Sequence, residues 1–149
     1  MNMTIKQITA AYPNVVKTES QAERESVERE YFVLSVEHTQ RHNPYITLWA
    51  PDNSGYRCRV ETAGRYTESQ IKASLSYYNN GCDTVAIPCD AAEPLAFSVQ
   101  PGFFDDDNGR WLRNNGATWK TLLKHAITNP THKPEPDYRG APRRGDRYV

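Results

Sequence analysis

Three groups of side chains are of types that could do chemistry: the thiols Cys58, Cys82 and Cys89, the imidazoles His38 and His42, and the carboxylates Asp105, Asp106 and Asp107. An odd number of cysteines without C-x-x-C spacing argues against both a disulfide framework and a zinc clamp, so reduced, structural thiols are expected. Cys89, in the run "IPCD", is a nucleophile only if a histidine lies near enough to generate the thiolate; a small buried cysteine is the commoner role. His38 and His42 flank a polar turn with no cysteine pair to complete a zinc tetrahedron, and strand-end polarity accounts for them. The acidic run leads into Asn108-Gly109, and in an EF-hand loop the glycine is sixth. That register puts Phe104 first and Asn115 twelfth, where an oxygen ligand and a bidentate glutamate belong. A solvated loop tip is expected instead.

Signature motifs for a phosphate loop, a dinucleotide fold, a hydrolase elbow and a zinc protease are all absent. With 18 acidic residues in the chain, no pair of carboxylates is singled out as general acid and base by sequence alone. No cofactor is expected, and an enzyme with an unrecognised site stays only as a further alternative.

Binding chemistry has more to show. Arg57 and Arg59, two apart on an expected strand, would share one face near Trp49, and single-stranded nucleic acid is held by such pairings of cations with aromatic platforms. The chain as a whole gives no help, because 18 basic and 18 acidic residues leave it formally neutral. Tyrosine, tryptophan and arginine also dominate protein interfaces. Tyr45, Trp49, Tyr56, Tyr66, Phe103, Phe104 and Trp111 all stand beside turns or in irregular stretches. The contact candidates, for protein or nucleic acid, are therefore Trp49, Tyr56, Arg57, Arg59, Phe103, Phe104 and Trp111.

These residues need elements to position them. Helical spacing and a cap at Thr4 predict a short helix ending before Pro13, and "SQAERESVEREY" predicts a mostly solvated one. From Tyr31 the period becomes two: "YFVLSVEHT" predicts a strand buried well on one face and partly on the other. "YITLW" and "YRCRVE" predict two more strands around the turn "APDNSG", the last with Tyr56, Cys58 and Val60 facing the core. Thr67 caps an expected helix at 68–79 with Ile71, Leu75 and Tyr78 on one stripe, stopped by Asn80-Gly81. "DTVAIPC" predicts a fourth strand with Pro88 at its end or on an edge. Residues 91–116 read as a long loop. Trp119, Leu122, Leu123, Ala126 and Ile127 mark a core-facing helix at 117–128.

The expected fold is α+β: a three- to four-stranded antiparallel sheet packed by two or three helices. It divides into an N-terminal helical segment (1–30), the α+β domain (31–129) and a mildly basic, Pro/Arg-rich flexible tail (130–149), too poor in aliphatics to offset its ordering. No apolar run is long enough for a membrane span and no leader pattern opens the chain, so a cytoplasmic protein is expected.

Taken in order, "YFVLSVEHT", "ITLWAPDNSGYRCRVETAGRYTE" and "NNGCDTVAIPC" resemble a family of small accessory proteins of tailed bacteriophages and proteobacterial prophages. The resemblance covers residues 31–96 and brings no catalytic or binding residues with it. It implies a context, since such proteins often bind and redirect host machinery or host defences. The expectation is then a non-catalytic protein that binds and modulates a host or defence-system protein. The alternative is a nucleic-acid-binding module using Arg57, Arg59 and the neighbouring aromatics.

Overall fold

The computed structural model describes residues 28–99 and 109–142. The helices expected before residue 28, the candidates Phe103 and Phe104, and the acidic run lie outside the described residues.

Alternation from Tyr31 produces the central strand, β1 (Glu30–Ser35). It is flanked by β2 (Leu48–Trp49), β3 (Tyr56–Arg57), β4 (Tyr66–Thr67) and β5 (Thr84–Pro88), all antiparallel to their neighbours. Because β5 runs along one whole side of β1, β2 and β4 must share the other side. β4 pairs with its start (Tyr31↔Tyr66), β2 with its end (Leu34↔Leu48), and β3 lies outside β2. The α+β class and the β1–β2–β3 meander are as expected, although the main sheet holds five strands.

Both faces of this sheet carry a buried apolar cluster, whereas the alternation in "YFVLSVEHT" suggested one face buried well and the other partly. Phe32, Leu34, Leu48, Val85 and Ile87 form one face with Val60, Leu112, Trp119 and Leu122. Tyr31, Val33, Trp49, Tyr66 and Ala86 form the other with Ile71 and Tyr78. The covering helices are α1 (Glu68–Ala73), α2 (Leu75–Tyr78), α3 (Cys89–Ala92) and α4 (Gly116–Leu123). Each fully buried Leu, Ile or Phe contributes about 1.5–3 kcal/mol, so the two layers supply most of the driving force.

Local chemistry fixes the ends of the helices. Thr67 caps α1 as its register predicts, its hydroxyl accepting from the Gln70 N–H at 3.2 Å, and Asn115 caps α4 through the Thr118 N–H at 2.8 Å. The helix expected over 68–79 breaks at Ser74 (φ −145°, ψ 53°), and α2 then sets Tyr77 and Tyr78 against the Trp49 ring, at 5.1 and 5.7 Å. The helix expected over 117–128 stops at Leu123. Beyond it Ile127 leaves helical register, and its N–H donates to the Ala86 carbonyl on the outer edge of β5.

Two expectations for irregular chain are corrected. Residues 91–116 contain a hairpin of β6 (Ala96–Ser98) and β7 (Arg110–Leu112), paired Phe97↔Trp111 and tied to the main body by the Ile46 N–H donating to the Leu112 carbonyl. The Pro-rich run does not leave the domain at 130. Residues 130–142 cross its surface with Pro136 and Ala141 buried and Tyr138 packed on the core. Its few aliphatics hid the apolar area that proline rings and tyrosine carry, and proline has less backbone freedom to lose.

Candidate functional site

The hairpin that holds Trp49, Tyr56 and Arg57 turns through Asp52 and Asn53, both left-handed (φ 57° and 56°), a conformation that Asp and Asn adopt most readily after Gly. The turn is pinned from below. Tyr66 Oη accepts from the Asn53 N–H at 3.0 Å and donates to the Ala50 carbonyl, while Tyr78 Oη donates to Asn53 Oδ1 at 3.1 Å. Register then places Trp49 directly opposite Tyr56, on the face covered by α1 and α2.

Along that face the cover runs out beyond Tyr78, where the sheet presents only the small residues Ser35 and Thr84, paired across β1 and β5. The result is a cleft of about 220 Å³, floored by Ser35 and Thr84 and walled by Trp49, Tyr56, Tyr77 and His38, with Glu37 and Asp83 at its border. The floor hydroxyls are engaged: Ser35 Oγ accepts from the His38 N–H at 3.0 Å, and Thr84 Oγ1 donates to the Tyr77 carbonyl at 2.8 Å. The His38 ring lies 4.4 Å from that of Tyr56. Among the described residues, no lysine or arginine lines the cleft.

A second aromatic surface stands on the β6–β7 hairpin. Phe97 is 45% exposed, its ring beneath the Arg113 guanidinium at 3.6 Å, and its cross-strand neighbour Trp111 packs at 5.6 Å against Tyr45. A larger open seam, about 650 Å³, separates α4 from the C-terminal run and is bordered by Trp119, Leu123, Pro134 and Tyr138, with lysines and a glutamate at its rim.

The sequence candidates divide accordingly. Trp49 is 9% exposed and belongs to the core except where it walls the cleft, and its buried Nε1–H has no acceptor among the described residues. Tyr56 was expected to face the core and instead stands 47% exposed. Arg57 and Arg59 do not share a strand face, because β3 ends at Arg57 and Arg59 leads into a 3-10 turn at Val60–Thr62. Trp111 is half-buried in the hairpin surface. Sequence reasoning missed Tyr77 and Phe97. Tyr77 left a trace, as a large aromatic off the Ile71, Leu75, Tyr78 stripe of its helix; Phe97 left none, since strands of three residues carry no readable period.

Several basic residues around these surfaces are paired with carboxylates, whereas the Arg113 guanidinium lies over Phe97 and Lys120 and Lys133 rim the seam. Arg29 holds Asp90 through two bonds of 3.0 and 2.8 Å, and Arg41 meets Asp137 at 3.0 Å. Arg65 reaches Glu93 and Glu30, Lys72 meets Glu68 at 3.2 Å, and Arg110 meets Glu61 at 2.9 Å. The hydrogen bond from Arg29 holds the Asp90 carboxyl below the usual carboxylate range. Burial opposes ionisation of Glu61, but the bonds from the Arg110 side chain and backbone outweigh it and lower its carboxyl as well.

Nucleophilic chemistry at Cys89 is not supported by its surroundings. The residue is 3% exposed, and burial pushes its thiol up to about 12, with Glu30, Glu93 and Asp90 adding to the effect and Arg65 opposing it. Among the described residues, no three metal-ligating side chains gather, and no helix is long and apolar enough to cross a membrane. Compared with known proteins, the chain matches no family model, no curated protein and no solved structure.

Proposed function

We propose that this protein is a non-catalytic accessory protein of the phage type, which acts by docking on a host or defence-system protein. The observation that carries the binding part is the β6–β7 face, where the exposed Phe97 and the half-buried Trp111 and Tyr45 stand beside Arg113 while Arg110 of the same hairpin is committed to Glu61. A nucleic-acid interface draws its affinity from several cations left for phosphates, and an aromatic cluster beside a single arginine suits a protein surface better. The host or defence-system partner is argued from the resemblance of residues 31–96 alone.

The test is affinity capture from bacterial lysate, with and without nuclease, comparing the native chain with Phe97→Ser. Phe97 is exposed, so the substitution leaves the fold intact, which a thermal melt checks. The expected result is a stoichiometric partner that survives nuclease and whose affinity falls more than about tenfold in the variant, as at an interface hot spot. Recovery of the bait alone, or capture abolished by nuclease, overturns the proposal.

A further inference from the structure

Three large hydrophobic side chains stand exposed among the described residues, and two of them, Tyr56 at 47% and Tyr77 at 52%, line one cleft. The Trp49 indole lines the same cleft, its ring centroid 5.1 Å from that of Tyr77, and the His38 ring packs against Tyr56. Among the described residues the two carboxylates at the border, Glu37 and Asp83, face no lysine or arginine, and the one imidazole there is that of His38. Asp83 forms no ion pair among the described residues, and Glu37 has only His38, at 3.8 Å. Aromatic faces carry negative electrostatic potential and attract a cation placed against them, more strongly where water is partly excluded. Carboxylates beside those faces add to the same preference and disfavour an anion.

We infer that this cleft receives the cationic end of an arginine or lysine side chain presented by the partner protein. The inference rests on the protein-docking reading and adds a second contact to it, on the opposite face of β2 from Leu48. The volume of about 220 Å³ is roughly that of seven waters at ~30 Å³ each, enough for a guanidinium or ammonium head and the methylenes next to it. The apolar stem would lie against Tyr77 and Tyr56, and the head would face Asp83 and Glu37. No bond forms or breaks; the site is one of recognition.

Nuclear magnetic resonance of the full chain tests this, following the Trp49 indole N–H during titration with butylguanidinium, butylammonium and neutral pentanol. Saturable shifts with both cations and at least about fivefold weaker binding of pentanol are expected. The double variant Glu37→Gln/Asp83→Asn should weaken the cations about fivefold or more and leave pentanol unchanged. Equal binding of pentanol and the cations, or no saturable shift, overturns the inference while leaving the Phe97-dependent capture standing. If the cations bind but Glu37→Gln/Asp83→Asn captures the partner as well as the native chain does, the side-chain source is refuted and the cleft takes a free organic cation.

Discussion

The Cys89 thiol sits at the junction of β5 and α3 with its ionisation pushed from 9.0 up to about 12, chiefly by burial. A group whose folded value is raised stabilises the fold fully below its unfolded value and loses that contribution as pH climbs toward the folded one. Stability should therefore begin to fall above about pH 9. Replacing Cys89 with Ala should flatten the pH 9–10 part of that decline, at a baseline cost of about 1 kcal/mol for the lost atom. Thiol labelling at pH 8 supplies a second reading: the exposed Cys82 reacts first, the half-buried Cys58 more slowly, and Cys89 only in denaturant. Rapid labelling of Cys89 in the native state would contradict the structure. The inert role of Cys89 was legible, because a small residue closing an apolar strand has few other uses. The place of Trp49 was not. Alternation puts it opposite Leu48, which means solvent if a sheet is covered once and core if it is covered twice, and only the packing of α1 and α2 decides which.

Among the elements, the edge strand β5 shows most clearly what single side chains do. Its outer N–H and C=O groups would form an open template for another strand, and this chain closes them with local groups. Asn79 Oδ1 accepts from the Ala86 N–H at 3.0 Å, and its Nδ2 donates to the Thr128 carbonyl and hydroxyl at 3.1 and 3.2 Å. The Ile127 and Gly81 N–H groups donate to the Ala86 and Thr84 carbonyls. Asn79 is 3% exposed, so Asn79→Ala leaves a buried donor unmet, and a loss of about 2–3 kcal/mol is expected. A lower urea midpoint at unchanged slope would measure it, together with faster hydrogen exchange at Ala86; unchanged exchange would mean that the side chain does not close the edge. β1, β5 and the cap of α1 could be read from sequence because periodicity and capping are local. The β2–β3 hairpin was legible too, from its turn residues, whereas β4, β6 and β7 have two or three residues each and partners distant in the chain. Their existence depends on tertiary packing, which is also why the surface around Phe97 and Trp111 could not be assembled in advance.

On the scale of the whole molecule, the C-terminal run acts as a strap. The His132 N–H donates to the Asn80 carbonyl at 3.0 Å, Arg41 pairs with Asp137, and Tyr138 and Ala141 pack onto the body. Gly81 makes the crossing possible: its φ of +87° suits glycine, and a Cβ there would collide with the His132 carbonyl and with Pro130. Composition alone pointed to a tail, since it counts aliphatics and is blind to which surface a proline ring meets. Ending the chain at 129 should cost at least about 2 kcal/mol of buried apolar contact, lowering the melting temperature by about 4 °C or more. Gly81→Ala should be more damaging still in the full chain, where it combines a strained backbone with the collision. In the shortened chain the collision has no partner, and only the backbone term of about 1 kcal/mol remains. The two changes must then be markedly non-additive, and a double-mutant cycle of melting temperatures isolates the docking of the strap from the strain at the glycine. Additive effects would place the strap away from Gly81 and return residues 130–142 to the role of a free tail.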